Sequence, residues 1–269
     1  MTTQREPVRR NVATRPSIFE RILVGVDATK ESLDACRQAG TFAEPRSTVE
    51  AATVSLFPPE GLDDGGDLDT RLDRAASAAL SAAAQILGPH TELRRLYGLT
   101  VDTLLDETER LQATLLAIGT QEHRRVGEIV FGGVAGELLH KAPCAVLVAR
   151  PVPDPETFPR EIVVGVDGSD GAEYAFETAR GLATRRHSIL RSVVALGGKH
   201  VDLGKVASLH RRVEVSTAAA VPALVEASVC ADLLVVGSRG LHGPRALGSV
   251  SERVAHRAGC SVLVVRRST

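Results

Sequence analysis

Short apolar runs alternate with longer amphipathic stretches along this chain, and the alternation predicts strands and helices in turn. Arg21 to Val26 is a continuous apolar run that ends in Asp27, which suits a strand buried on both faces of a parallel sheet. A helix is predicted from about Lys30 to Phe42 and a second strand over Val49 to Phe57. Pro58 to Gly66 (PPEGLDDGG) reads as a loop rich in Pro, Gly and Asp, and the charged stretch Asp63 to Asp73 as a solvated loop and helix start. Leu68 to Leu87 is an alanine-rich helix stopped by Gly88 and Pro89. Then come a strand over Glu92 to Tyr97, a helix over Val101 to Arg110, a strand over Leu115 to Ile118, a helix from about Val134 to Lys141, and a closing strand over Ala145 to Val148. Such alternation implies an open parallel sheet with right-handed crossovers.

The pattern then starts again. GGVAGELLHKAPCAVLVAR (Gly132 to Arg150) returns 116 positions later as GSVSERVAHRAGCSVLVVR (Gly248 to Arg266), with nine identities that include His140 with His256 and Cys144 with Cys260. RILVGVD (Arg21 to Asp27) recurs as EIVVGVD (Glu161 to Asp167) at an offset of 140, and LLAIGT (Leu115 to Thr120) as LLVVGS (Leu233 to Ser238) at an offset of 118. A period above 100 residues is too long for a solenoid, so the duplicated unit is a domain. Two domains are expected, 18–150 and 160–269, joined by Arg150 to Pro159 (RPVPDPETFP), whose four prolines bar it from sheet or helix. The offsets remove 22 residues between the first and fourth strands of the second copy, and two more from the glycine loop that follows. That copy is read as strand Ile162 to Val166, helix Gly171 to Thr184, strand Ser188 to Leu196, then only Gly197 to Ala207 before a strand at Leu209 to Val215. The second domain is therefore expected to lack one helix and to expose apolar surface on that flank.

With 269 residues and 43% hydrophobic side chains, either domain buries a full core. A formal charge of -1 from 32 basic and 33 acidic groups leaves no footprint for nucleic acid or an anionic membrane, so neither is expected as a partner. No apolar run approaches the ~20 residues that span a bilayer, and the first 17 residues are polar and basic, read as a disordered tail. A cytoplasmic location is expected. Cys36, Cys144, Cys230 and Cys260 show no CxxC or metal-type spacing and are read as small buried hydrophobes.

Parallel sheets of this kind bind ligands beyond the carboxyl ends of their strands, where strand order reverses and helix amino-termini offer free N–H groups to anions. Gly237-Ser-Arg-Gly240, seven residues, then Gly248-Ser249 leads from the fourth strand of the second copy into its last helix. Its glycines permit close approach to a phosphate, and Arg239, His242 and Arg245 tilt it positive. Ser249 is a candidate N-cap or phosphate ligand. Asp167, across the crevice, is placed to accept from an adenine amino group or a ribose. Plainer readings stand beside these: a tight turn for the glycine loop, a turn or capping role for the aspartate, and the helix macrodipole with a solvated face for His140 and His256. No Ser-His-Asp, paired-carboxylate or metal-ligand arrangement stands out, and the P-loop pattern is absent.

Strand-one VGVD, the GSRG loop, the Gly-Ser-Val helix start and the terminal CSVLVVRR together resemble the universal stress protein (UspA-like) family in its tandem two-domain form, over almost the whole chain after residue 18. The resemblance implies an α/β fold of two open parallel five-stranded sheets, Rossmann-like and adenine nucleotide alpha hydrolase-like. Through the family's Gly-x2-Gly-x9-Gly-Ser/Thr pattern it further implies ATP binding, with Mg2+ entering only alongside ATP. Carried over, the nucleotide site comprises Asp167, Gly237, Gly240, Gly248, Ser249 and Val250 in the second copy, and Asp27, Gly119 and Gly132 in the first. Both copies depart from the pattern. The second has seven residues where the family has nine, with Pro244 among them; in the first, Glu122 replaces the second loop glycine and Gly133 the hydroxyl. A carboxylate beside phosphates repels them unless Arg124 or Arg125 neutralises it. The resemblance also implies that the closing strands pair as an intramolecular pseudo-dimer, a pairing that covers otherwise open edges; a homodimer is left open.

The leading expectation is a regulator or sensor of stress that binds ATP through the second copy and carries no catalytic residue. The alternative is a nucleotide-free interaction or scaffold module, and slow ATP hydrolysis or adenylyl transfer is a third class.

Overall fold

Strands without a polar break need cover on both faces, and helices supply it on each side of one sheet. The computed structural model describes residues 17–27, 29–56, 67–120, 123–125, 128–130, 133–197, 201–209, 212–238 and 249–266. The first half runs β1 (Arg21–Gly25), α1 (Lys30–Phe42), β2 (Thr48–Ser55), α2 (Asp67–Leu87), β3 (Glu92–Tyr97), α3 (Thr100–Leu111), β4 (Leu115–Gly119), β5 (His123–Arg125), β6 (Glu128–Val130), α4 (Gly133–Lys141) and β7 (Ala145–Ala149). The second runs β8 (Glu161–Gly165), α5 (Asp170–Arg186), β9 (Ile189–Ala195), α6 (Leu203–Leu209), β10 (Val213–Ser216), α7 (Ala220–Ser228), β11 (Leu233–Gly237), α8 (Ser249–Arg257) and β12 (Ser261–Val265).

Each half contributes a parallel five-stranded segment, and the two join edge to edge in the order β10-β9-β8-β11-β12-β7-β4-β1-β2-β3. At the joint β12 and β7 are antiparallel, with Val262 opposite Val148, Leu263 opposite Leu147 and Val264 opposite Val146. Leu147 and Leu263 are equivalent positions of the repeat, so the pairing is self-complementary, as across the two-fold axis of a homodimer. One apolar layer, under α1, α2, α5 and α6, runs unbroken across both halves. A second, under α3, α4, α7 and α8, does the same on the other face.

Two arginines lock the joint reciprocally. The guanidinium of Arg150, 3% exposed, donates to the carbonyls of Cys260 at 3.0 Å and Ala255 at 2.5 Å, at the end of α8. Arg266 donates to the carbonyl of Leu139, at the end of α4. Arg150 and Arg266 correspond in the repeat, as do Leu139 and Ala255, so the arginine that follows the closing strand of each half caps the last helix of the other. A cation at a helix carboxyl end also meets the negative pole of the macrodipole. The linker joins the core as well: Phe158, 1% exposed, packs 5.9 Å from Phe42, which lies 6.0 Å from Phe19.

Several expectations need correction. The second half keeps a remnant of the lost helix: α6 spans seven residues where α2 spans 21, and it buries Val206. The strand placed at Leu209 to Val215 starts only at Val213, because its first residue ends α6. Apolar surface does remain on this flank, with Val215 64% and Leu203 54% exposed. The first half's glycine loop contains an antiparallel hairpin, β5 with β6. Cys230 is exposed, because it lies in the turn after α7, while the other three cysteines are buried free thiols. Burial pushes Cys36, Cys144 and Cys260 up to about 12, so none is a nucleophile at neutral pH. His140 does not simply face solvent: its Nε2 lies 3.0 Å from Glu252 across the joint. The basic start of the chain and the whole loop 58–66 lie outside the described residues.

A carboxylate pair lies under α3. Glu50 of β2 is buried, with Arg110 at 2.5 Å, and Arg110 also holds Glu107 at 2.8 Å. Burial, then the hydrogen bond that its protonated carboxyl donates to Glu107, pushes Glu50 up to about 7. Burial would raise Glu107 too, but Arg110, Glu50 and Arg94 outweigh it and hold Glu107 below the usual range. A raised folded pKa stabilises the fold below the unfolded pKa of ~4.5, and that contribution is lost as pH climbs through about 7. Glu50→Gln is therefore expected to gain stability relative to wild type between pH 5 and pH 8, by roughly 1–3 kcal/mol. Urea unfolding of both proteins at the two pH values checks this; parallel curves would show that the fold does not hold Glu50 protonated.

Candidate functional site

The strand order reverses twice, beside β1 and beside β8. β1 is flanked by β2 and β4, and β8 by β9 and β11. The helix after β1 covers one face and the helix after β4 the other, so a crevice opens between them at the carboxyl ends of the strands. The same holds for β8 and β11. A cavity of about 430 Å³ fills the first crevice, and one of about 240 Å³ the second.

Asp27 and Asp167 stand at corresponding places in the cavity walls, and both also have a structural task. Oδ1 of Asp27 accepts from the Thr29 N–H at 2.9 Å, and Oδ1 of Asp167 from the Ser169 N–H at 2.9 Å. Thr29 and Ser169 are in turn the N-caps of α1 and α5, accepting from Ser32 N and Ala172 N. These are Asx turns that set the helix starts, so the turn reading of each aspartate holds. The second carboxylate oxygen of each has no protein partner among the described residues, and both side chains are exposed.

Gly119 and Gly237 line the two cavities, yet packing alone demands glycine at both. A Cβ on Gly119 would lie 2.4 Å from the backbone of Glu31, and one on Gly237 would lie 2.2 Å from the carbonyl oxygen of Gly171. The strand end and the first turn of the neighbouring helix touch there, which is the close helix–strand approach that glycine permits.

Ser238 was not among the expected site residues. It is 4% exposed, it lines the second cavity, and its Oγ has no hydrogen-bond partner among the described residues. Its counterpart Thr120 is satisfied, since Thr120 Oγ1 donates to the Ala149 carbonyl at 3.1 Å. An orphaned buried hydroxyl costs stability, and this one lies in a cavity wall. The only sequence signal for it was its position inside the GSRG loop. Val250 and Ser251 of α8 close the same wall, and Ser251 is buried. Gly132, Gly240 and Gly248 lie outside the described residues, as do Glu122, Arg239, His242, Pro244 and Arg245 and the side chains of Arg124, Arg125 and Ser249. No described group of three or more His, Cys, Asp or Glu residues could hold a metal ion, and no helix among the described residues is long and apolar enough to cross a membrane.

A crevice of this kind on a doubled parallel sheet invites comparison with known proteins. The universal stress protein family model matches residues 18–150 and 193–266. The chain belongs to that family. A universal stress protein of Mycobacterium bovis is 28% identical, covering 95% of this chain and all of its own length. A family member of Mycolicibacterium smegmatis is 30% identical over 91% of this chain and 96% of its own. The crystal structure of a universal stress protein from Archaeoglobus fulgidus superposes with a TM-score of 0.71 at 20% identity, covering 93% of this chain and 97% of that one, and shares the fold.

Proposed function

We propose that the chain binds an adenine nucleotide, ATP, in the crevice of its second half and acts in the cytoplasm as a regulatory or sensing protein of the stress response. The observation that carries this reading is the unpartnered, buried Oγ of Ser238 in the cavity wall. It stands beside the start of α8, whose first N–H groups suit a phosphate, and opposite the exposed carboxylate of Asp167, which suits a ribose or an adenine amino group. At about 240 Å³ the cavity is smaller than the ~300–1,000 Å³ typical of ligand pockets. It suits the adenosine part, with the phosphates, and any Mg2+ they carry, at the mouth. Here the chain's own described residues hold and orient the ligand through Ser238, Asp167 and the first N–H groups of α8.

Isothermal titration of ATP into wild type and Ser238→Ala tests the reading. Loss of one hydrogen bond to a charged or polar ligand atom is expected to weaken binding about 10-fold. The unliganded variant should unfold at the same temperature or slightly higher, because an unsatisfied hydroxyl has been removed. Absence of heat from wild type at millimolar ATP would sink the proposal. The second reading, a nucleotide-free interaction module, draws on the exposed Val215 and Leu203 beside α6. A nucleotide copurifying with the protein would count against it.

A further inference from the structure

We infer that Glu50 and Glu107 form a proton-operated latch for α3: while they share one proton the helix is held on β2, and when that proton leaves to solvent the helix is loosened. Glu50 is 1% exposed on β2 and Glu107 5% exposed on α3, so the two carboxyl groups meet between the sheet and the helix that covers it. One guanidinium serves both. Arg110 lies 2.5 Å from Oε2 of Glu50 and 2.8 Å from Oε1 of Glu107, and Arg94 of β3 lies 3.3 Å from the same Glu107 oxygen. The other oxygen of Glu50, Oε1, is buried and meets no donor among the described residues. A hydrogen bond between two carboxyl groups requires a proton on one of them, because ionised carboxylates only accept. Once the proton is lost, two like charges share a dry contact and one buried oxygen is left unsatisfied.

The surrounding charges do not remove this conflict. α3 contributes Glu107 and Arg110, and β3 contributes Arg94 together with Glu92, the register partner of Glu50. β1 presents Leu23 beside Glu50; its Arg21, one pleat earlier, is engaged by the Gln112 carbonyl and Glu20. Ionised Glu50 therefore makes three carboxylates against two guanidinium groups. Burial and the bond to Glu107 set the loss of the proton at about 7, so the latch is closed in mild acid and opens as pH climbs through neutrality. The second half has no such device among its described residues. Leu23 corresponds to Val163 at the offset of 140, and the strand beside Val163 carries Arg191 where the strand beside Leu23 carries Glu50. Arg191 bridges Glu161 at 2.5 Å and Glu214 at 2.7 Å and stays charged on either side of neutrality. α7, the counterpart of α3, buries Val221, Ala223, Leu224 and Ser228 and no carboxylate. Thr100 and Leu104 of α3 line the first cavity, so the latch sets how firmly that wall is held.

Hydrogen–deuterium exchange of the whole chain without ligand, read by mass spectrometry at about pH 5.5 and 7.5 and corrected for the intrinsic exchange rate, tests the latch. Amides of α3 are expected to be at least about 10-fold less protected at the higher pH, while those of α7 change by less than about 2-fold. Glu50→Gln stays neutral and can still donate to Glu107, so its α3 should keep the acid-side protection at both values. Glu107→Gln removes the like charge and should shrink the response of α3. Equal protection of wild-type α3 at the two pH values, an α7 that responds as strongly as α3, or a Glu50→Gln protein that keeps the wild-type response overturns the inference. Should Glu50→Gln not fold, Glu107→Gln decides: an α3 response as large as that of wild type overturns it, and a smaller one supports it.

Discussion

Arg150→Ala is expected to lower the thermal midpoint by about 10 °C, the larger of the two stability effects argued here. The substitution strands the carbonyls of Ala255 and Cys260 inside the joint, where they now accept from the guanidinium. Each buried acceptor left without a donor costs about 1–3 kcal/mol, and removing a buried charged donor about 3–5 kcal/mol in all. A chain of this length loses roughly 2–4 °C per kcal/mol. Arg150→Lys should recover little, since one ammonium does not reproduce a planar fork that reaches two carbonyls. Arg266→Ala should cost less, because that side chain is less buried and donates to the single carbonyl of Leu139. Differential scanning calorimetry of the three variants checks the order; a midpoint for Arg150→Ala within 2 °C or so of wild type would mean that the joint does not depend on this arginine.

Gly237→Ala is expected to cost about 3 kcal/mol, although alanine is the smallest change available. The added methyl would sit 2.2 Å from the carbonyl oxygen of Gly171 and 2.4 Å from its carbon. Both are backbone atoms, so the amino end of α5 must move away from β11. Gly119→Ala should behave alike, against the backbone of Glu31 at 2.4 Å. Gly133→Ala supplies the contrast, because nothing lies within 4 Å of its added methyl and alanine is the better helix residue. It should be neutral or stabilising by up to ~1 kcal/mol. Urea denaturation ranks the three, and equal losses at 133 and 237 would contradict the packing account. A loss of ligand at Gly237→Ala would report a displaced α5, which is why Ser238 is the better probe of the site.

Much of the fold was legible because its causes are local. The apolar runs at Arg21 to Val26, Leu115 to Ile118 and Ala145 to Val148 became β1, β4 and β7 nearly to the residue, since a strand covered on both faces tolerates no polar break. Helix limits at Lys30, Phe42 and Leu87 followed the patterning and the breakers after it. Boundaries failed where the remnant was short. Leu203–Leu209 makes too few turns to show a helical period, so its end was assigned to the following strand.

The candidate site was legible in outline. Asp27, Asp167, Gly119, Gly237 and Val250 do line the two cavities, but the sequence could not divide their roles between turn, packing and ligand. No sequence pattern sets Ser238 apart from the other residues of its glycine loop. Its meaning comes from what it lacks, a partner within reach, and that is a property of space rather than of order along the chain.

The amino-acid sequence by itself determined the alternation of elements, the duplication, the loss near residues 197–207 and the family. Each of these is written in periodicity or in self-similarity, which survive without coordinates. Only the tertiary structure decided that Arg150 and Arg266 exchange helix ends, that Phe158 of a proline-rich linker is core, and that equivalent crevices differ in size. Those outcomes depend on atoms brought together from 105 to 127 positions apart, where the energy of a buried polar group is set by its nearest partner and not by its neighbours in sequence.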